Sequence, residues 1–322
     1  MGILSLNKLW YDEPAPTGLK LYKKWTKLVL KEKYWNWLLR KRHKDNASKQ
    51  YYISICAIFK NEAPFMKEWL EFHLLMGVNH FYLYNNNSND DYLGILEPYI
   101  EKGIVTLVEW PDVPGQLSAY THFYNTYRHE SQWISFLDLD EFICPLKATD
   151  IPTWLEDYKQ YPIIMMYWRM FGTSGQLEHD DSKLVTEQYV VSWDKLDTCG
   201  KLLWNTDYNI ENFSIGMMHY FNVIKDGIIV PPINAWKYFV KDNIHRINDD
   251  EPSIQVNHYW SKAFHNYEKK HQKGSAAFGQ SWKTFDQFLR HEQNNISSDY
   301  VIYRFLTQLK LKLSGKYPNE QQ

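Results

Sequence analysis

Three carboxylates stand in Asp138-Leu139-Asp140-Glu141, directly after the apolar run Trp133-Ile134-Ser135-Phe136-Leu137. Such a run reads as a short strand buried on both faces of a parallel sheet. Carboxylates crowded at the end of a buried strand are costly without a cationic partner. Hard divalent ions take oxygen ligands, and Mg2+ or Mn2+ commonly uses one or two carboxylates plus the oxygens of a bound diphosphate. Ligands of open α/β sheets bind just outside the carboxyl ends of the strands. The stretch therefore predicts a metal-held phosphate ligand at that edge, with Asp140 and Asp138 as candidate metal ligands. A solvated acidic turn would give the same D-x-D spacing, so the surrounding elements have to decide.

Those elements alternate. Tyr52-Ile53-Ser54-Ile55-Cys56-Ala57-Ile58 predicts a first buried strand with Lys60-Asn61-Glu62 at its carboxyl end. Pro64 then sits in the first turn of a helix, where its missing N–H costs little. Phe65, Trp69, Phe72 and Met76 recur at helical spacing and mark a core face, and Gly77 stops the helix. His80–Tyr84 is a second strand. The polar loop after it, which contains Asn86, Asn87, Ser88 and Asp90, is expected to cap the helix that begins near Tyr92. One residue is enough for a cap, and the surplus suggests ligand contact. Ile104–Trp110 is a third strand, and a helix from Gln116 to about Glu130 leads back to the acidic stretch. Three β-α units in a row favour a parallel, doubly wound α/β sheet. Neither G-x-G-x-x-G nor G-x-x-x-x-G-K-[S/T] occurs, which removes the usual dinucleotide and P-loop readings.

Beyond Pro145 the pattern loosens. A helix is expected over 152–160, then a buried strand Ile163–Trp168, a tight turn at Phe171-Gly172-Thr173-Ser174-Gly175 and an acidic loop at Glu178-His179-Asp180-Asp181. A β-rich stretch runs to about Val240, followed by Val256–Lys262 and a polar, Lys-rich helix. His258 and Lys262 are candidates for residues supplied from far along the chain to a metal and a diphosphate. A histidine hydrogen-bonded within an aromatic cluster would look the same in sequence. Trp168 offers a ring for stacking on a sugar face, or simply ends a core strand.

Composition narrows the class. The chain has 322 residues, enough for one large domain with appendages, and a formal net charge of −2 that argues against nucleic acid as a partner. Its three cysteines, Cys56, Cys144 and Cys199, form no C-x-x-C pair and suit a reducing, cytoplasmic compartment. The first eight residues show neither a signal peptide nor a myristoylation pattern, and no stretch is apolar enough to span a bilayer. Residues 1–50 stand apart. Between positions 19 and 49, Lys20, Lys23, Lys24, Lys27, Lys31, Lys33, Arg40, Lys41, Arg42, Lys44 and Lys49 face only Glu32 and Asp45, with Trp25, Trp35 and Trp37 interleaved. This basic amphipathic pattern suits the surface of an anionic membrane, here the inner face of the cell membrane, and equally a solvated helix packed on the main domain. The expected organisation is a basic helical extension over 1–50, a catalytic domain over 51–275 and a helical tail over 276–322.

Taken in order, Asn61-Glu62, Glu68-Trp69-Leu70-Glu71-Phe72-His73, Gly77-Val78 and His80–Ser88 resemble the opening signature of glycosyltransferase family 92. Trp133…Phe136–Phe142, Phe171–Gly175 and Asn257-His258-Tyr259 resemble its later blocks, so the likeness spans about residues 51–275. The resemblance implies a GT-A-type, mostly parallel sheet with flanking helices and a β-rich insertion on the acceptor side. It also implies an inverting transfer of a hexose, with galactose the best guess, from a UDP-sugar held through Mn2+ or Mg2+. A saccharide or glycolipid acceptor in cell-surface polysaccharide or lipopolysaccharide synthesis is expected, and the missing signal anchor is read as a bacterial member. Lys60, Asn61, Glu62, Asn86, Asn87, Ser88, Asp90, Gln116, Asp138 and Lys262 are then expected around the nucleotide sugar, and Asp138, Asp140 and His258 around the metal. Trp168, Gly175 and Gln176 are expected on the acceptor. Gln176 departs from a family pattern that often has His there, which touches the acceptor side more than the donor site. An inverting transfer needs one carboxylate as general base, and Glu178, Asp180, Asp181 and Glu187 are the candidates. A nucleotide-sugar hydrolase would use the same metal site. A catalytically inactive sugar-binding module would not need both Asp138 and Asp140.

Overall fold

The computed structural model describes residues 18–40, 48–212, 219–240, 245–273 and 284–317. Lys41, Arg42, Lys44 and Asp45 of the basic stretch, and the eight N-terminal residues, lie outside them.

Continuous apolar runs build the centre of the molecule. β1 (Tyr51–Phe59), β2 (His80–Asn85), β3 (Val105–Glu109) and β4 (Ser131–Phe136) are parallel, in the order β3-β2-β1-β4. Both faces of β1 and β2 are covered, which is why these strands show no polar alternation. The helices joining them are α2 (Ala63–Leu75), α3 (Tyr92–Glu101) and α4 (Gln116–Thr126). Met66, Trp69, Leu70 and Phe72 form the buried stripe of α2, and the chain leaves that helix through Gly77 at φ +87°. The helix expected to reach Glu130 ends at Thr126, and Arg128–Glu130 is a separate 3-10 turn. The polar loop after β2 does not cap α3 by a side chain. Instead Asp90 accepts from Ala63 N at 2.8 Å and so caps α2.

After β4 the sheet becomes mixed. β5 (Glu141–Pro145) turns away, and α5 occupies only Ile151–Leu155, shorter than the helix expected there. β6 (Ile163–Phe171) divides its pairing. Its first half lies antiparallel to β8 (Gly200–Asn205), which extends the sheet beyond β4. Its second half pairs in parallel with β13 (Ile254–Tyr259). β13 in turn runs antiparallel to β5. Short strands fill the insertion: β7 (Val191–Trp193) against β6, β12 (Ile233–Asn234) beside β6, and a small separate sheet of β9 (Asn209–Ile210), β10 (Val223–Lys225) and β11 (Ile228–Val230). The tail is not purely helical. Between α8 (Phe285–Gln293) and α9 (Tyr303–Leu313), β14 (Asn295–Ser298) joins the edge of the main sheet through β7. The parallel core, its mixed continuation and the flanking helices make up the GT-A-type α/β fold that the resemblance implies.

α2 is fastened to β5 by polar groups as well as by packing. Trp69 Nε1 donates to Glu141 O at 2.8 Å. His73 is wholly buried. Its Nε2 accepts from Ile143 N at 3.2 Å, which leaves Nδ1 as the protonated nitrogen, donating to Trp69 O at 2.9 Å. Burial pushes the His73 pKa from 6.5 down to about 3, against the opposing bond to Trp69. His80, bonded to Gly103 O and Thr106, is lowered to about 4 for the same reason. The unfolded chain protonates these rings below 6.5, whereas the folded chain does not until about 3 and about 4. Stability is therefore complete above 6.5 and lost as the pH falls, by about 1.4 kcal/mol per pH unit per ring. Denaturant unfolding at pH 7 and pH 5 measures this. The pH 5 midpoint should be clearly lower, by less in His73→Asn, and equal midpoints would contradict neutral buried rings.

Candidate active site

The acidic motif occupies the turn where β4 ends. Leu137 N donates to Cys56 O, continuing the β1–β4 ladder past the strand, and Glu141 N donates to Asp138 O at 3.1 Å to close the turn into β5. Antiparallel pairing sets Glu141 opposite His258, and Tyr259 N donates to Asp140 O at 2.8 Å. A histidine 118 positions beyond Asp140 is thus delivered to the motif by strand register, with its Nε2 3.6 Å from Asp140 Oδ1.

Two lysines supply the positive charge that the motif demands. Lys201, on β8, is sealed from solvent. Its Nζ lies 2.8 Å from Asp138 Oδ2 and 3.4 Å from Glu141 Oε2. Glu141, also fully buried, accepts from Asp138 N at 2.9 Å through the same oxygen. Burial pushes Glu141 up to about 8 even though Lys201 opposes it. Burial acts upward on Asp138 too, but there Lys201 prevails and its pKa falls. The second lysine is Lys270 of α7 (Phe264–Lys273), whose ammonium is hydrogen-bonded to Asp140 Oδ2 and lies 3.3 Å from Trp260 O. Against the upward push of burial, Lys270 and then His258 hold Asp140 well below the carboxylate range.

The strand ends carrying the expected nucleotide residues are tied together. Asn61 N donates to Ser88 Oγ, and Asn89 N donates to Asn61 Oδ1. Asn86 donates to the carbonyls of Trp110 and Asp112, and Asn87 to that of Pro111. Asn61 and Asn87 have positive φ, 53° and 58°, a region that asparagine tolerates. Asp90 Oδ1 is buried without a hydrogen-bond partner among the described residues. Gln116 opens α4 with Nε2 3.5 Å from Asp138 Oδ1. Lys262 lies 3.9 Å from Glu62 and 4.3 Å above the ring of Phe65. Lys60, partly buried, is the last residue before Asn61 at this edge.

The expected acceptor residues lie on β6 and in the loops that follow it. The Trp168 ring lies 4.6 Å from His258 and 5.0 Å from His219, and its Nε1 is buried with no hydrogen-bond partner among the described residues. Burial and then Lys201 lower His219 to about 4. Thr173 donates through N and Oγ1 to Glu292, and Ser174 and Gly175 turn at φ 52° and 77°. Gln176 donates to Gln188 O, and its own carbonyl receives Phe264 N at the start of α7. Glu178 and Asp181 are exposed. Asp180 is bonded to Ser182 and Lys183, which hold it down to about 2. Glu187 lies on α6 (Val185–Gln188), 2.5 Å from Lys310 of α9. Buried Glu68 caps that short helix by accepting from Val185 N, Thr186 N and Thr186 Oγ1.

No group of three or more His, Cys, Asp or Glu side chains suited to a metal occurs among the described residues. Asp140 and His258 nevertheless converge, and a carboxylate with an imidazole suits Mn2+ better than Mg2+. Such a pair fits an ion that takes its remaining ligands from diphosphate and water. Asp138 is engaged instead by Lys201 and Gln116. Neither Lys201 nor Lys270 is legible as a site residue in the sequence. The signal for Lys201 is a lysine within the apolar strand Gly200–Asn205, a position that makes sense only with a buried partner.

A family model described as glycosyltransferase family 92 matches residues 49–209. A glycosyltransferase family 92 protein of Ricinus communis is 25% identical over 257 residues, covering 78% of this chain and 42% of that protein. A galactan β-1,4-galactosyltransferase of Arabidopsis thaliana is 29% identical over 136 residues, 37% of this chain and 27% of its own length. The chain spans about two-fifths of the length of the first curated relatives it matches. These relatives are plant proteins, and the bacterial assignment is not borne out. Among solved structures, S. aureus TarS (residues 1–349) in complex with UDP overlaps 48% of this chain and 47% of its own, at 13% identity and a TM-score of 0.32.

Lys201 generates a direct test. Lys201→Met removes the cation and leaves Asp138 and Glu141 to face each other. The expected loss is about 3–5 kcal/mol of stability, read as a large drop in the denaturant midpoint. A midpoint equal to the parent's would show that the buried ion cluster does not hold the motif.

Proposed function

The chain belongs to glycosyltransferase family 92, and on that premise we propose that it transfers a hexose with inversion from a UDP-sugar to a saccharide acceptor. The single observation that carries this reading is the gathering of Asp140, His258 and Lys270 at the carboxyl edge of the parallel strands, beside the β1 and β2 end loops. Galactose is the favoured sugar, from the resemblance and from the galactan galactosyltransferase relative. A cell-surface polysaccharide is the favoured product class. Cys56 and Cys144, both buried, suit a cytoplasmic enzyme working at the inner face of a membrane.

In this reading the acceptor hydroxyl oxygen attacks the anomeric carbon while the bond from that carbon to the diphosphate oxygen breaks. The leaving UDP takes the bonding pair, and the hydroxyl proton passes to a carboxylate of the chain. Lys262 and Lys270 are the cations that face the diphosphate. Asp140 and His258 would hold the divalent ion, which when bound neutralises charge on the diphosphate. Asn61, Glu62, Ser88 and Asp90 serve uracil and ribose, and Asp90 Oδ1 supports this as a buried acceptor with no internal partner among the described residues. Trp168, with its indole N–H likewise unspent, serves the acceptor together with Gly175 and Gln176. Glu178 and Asp181 are the favoured general bases, because Asp180 and Glu187 are already bonded to Lys183 and Lys310.

The experiment is transfer from UDP-galactose to a panel of saccharides, with free UDP and product sugar both counted. Chelator should abolish transfer and Mn2+ restore it best. Asp140→Asn should lower kcat on the order of 100-fold or more, as loss of a group that stabilises transition-state charge does. Full activity of that variant in chelator would reject the metal reading, and UDP release independent of acceptor would identify a hydrolase. In the same assay either Glu178→Gln or Asp181→Asn should lower kcat by about 100-fold or more with little change in the donor KM. Parent-like rates in both would remove these two residues as bases.

A further inference from the structure

Helix α1 (Gly18–Arg40) has two apolar faces in different surroundings. Leu28, Trp35, Leu38 and Leu39 are buried against the main body. Trp35 donates from Nε1 to Ile229 O at 3.1 Å and its ring lies 5.0 Å from Phe239, while Glu32 pairs with Arg246. At about 100° of rotation per residue, these positions share one side of the helix. Leu19, Leu30 and Trp37 fall within about 20° of a single line on the opposite side, with Tyr34 beside it. They are exposed at 69%, 62%, 54% and 44% respectively. Exposed Lys23 and, farther out, Lys27 lie on one flank of this stripe and exposed Lys33 and Arg40 on the other, whereas exposed Lys20 and Lys31 are more than about 90° round toward the packed side. Glu32, the one acid in the helix sequence, is turned inward to Arg246.

The two faces of α1 differ in kind. One face is packed on the domain, and the other repeats the leucine–aromatic stripe with cationic borders that suits the headgroup boundary of a bilayer. No helix among the described residues is long and apolar enough to cross a membrane, so the geometry is that of a helix lying in the interface. We propose that the outward face of α1 seats the protein on an anionic lipid surface, with the inward face fixing the catalytic domain to that seat. Charge complementarity selects the occupant: four cations flanking an apolar stripe, with no acid of the helix on that side, match anionic headgroups. This inference does not depend on the proposed transferase activity.

The test is co-sedimentation of the full chain with vesicles of pure phosphatidylcholine and of phosphatidylcholine mixed with phosphatidylglycerol. The protein should pellet with the mixed vesicles at low salt, stay in solution with the neutral ones and be released by high salt. Lys23→Glu with Lys27→Glu should weaken binding at least about tenfold, since each cation near such a surface contributes roughly fivefold. Leu30→Ser with Trp37→Ser should weaken it several-fold, and both pairs should keep the parent's melting temperature because the residues changed are exposed. Equal binding to both vesicle types, or binding unchanged in either variant, would overturn the proposal. So would an exposed-stripe dimer, seen by light scattering and lost in Leu30→Ser with Trp37→Ser, in a chain that does not pellet with vesicles.

Discussion

A lysine sealed from water holds the acidic end of β4 in place. Buried Lys201 is paired with Asp138 and lies against Glu141, and it reaches them because β8 lies against β4 on one side and β6 on the other. The closeness depends on the residue before it. A Cβ on Gly200 would stand 2.1 Å from Met166 O, so any larger residue would push β8 away from β6. Once Glu141 is anchored, its second role follows: by accepting from Asp138 N it shapes the turn, and the chain then leaves along β5 toward β13. The position of His258 beside Asp140 is a consequence of that departure.

The first half of the chain was largely legible in the sequence because its physics is local. Continuous apolar runs, Pro64 in a first turn and Gly77 after a buried helical stripe each act over a few residues, and β1, α2, β2 and β4 lie close to where those signals put them. The signals failed where tertiary contacts overrode them. Asp90 spends its carboxylate on α2 rather than on the helix that follows it, because the folded loop returns to the start of the preceding helix. The stretch after Asp150 yields only a short α5. The division of β6 between β8 and β13 has no counterpart in periodicity, since both halves are simply apolar. The partners of Lys201 and Lys270 could not be read for a related reason: a lysine's partner is fixed by pairings between strands and helices far apart in the chain.

The loops after β6 are held differently, by carboxylates acting on backbone. Glu68 caps α6 from the opposite helix, and Glu292 receives both the N–H and the hydroxyl of Thr173. The turn between them is tight enough that a Cβ on Gly172 would lie 1.8 Å from Asn295 Nδ2. Each of these bonds links the loop to an element distant in sequence, so a loop rich in polar residues gains a fixed shape without a core of its own.

The arrangement also has an order in time. Asp138, Glu141 and Lys201 all lie before residue 210, but His258, Lys262 and Lys270 are added by β13 and the α7 region well after it. As the chain is synthesised, its ion cluster around Lys201 can close first, while Asp140 stays solvated and uncompensated until roughly sixty further residues have been made. A polypeptide stopped short of β13 would lack every cation that Asp140 meets in the finished protein, together with the strand that β5 and the second half of β6 pair with. Competence at this site therefore arrives last, with the final third of the chain, and a proteolytic cut between β8 and β13 would separate the scaffold from the groups that complete it.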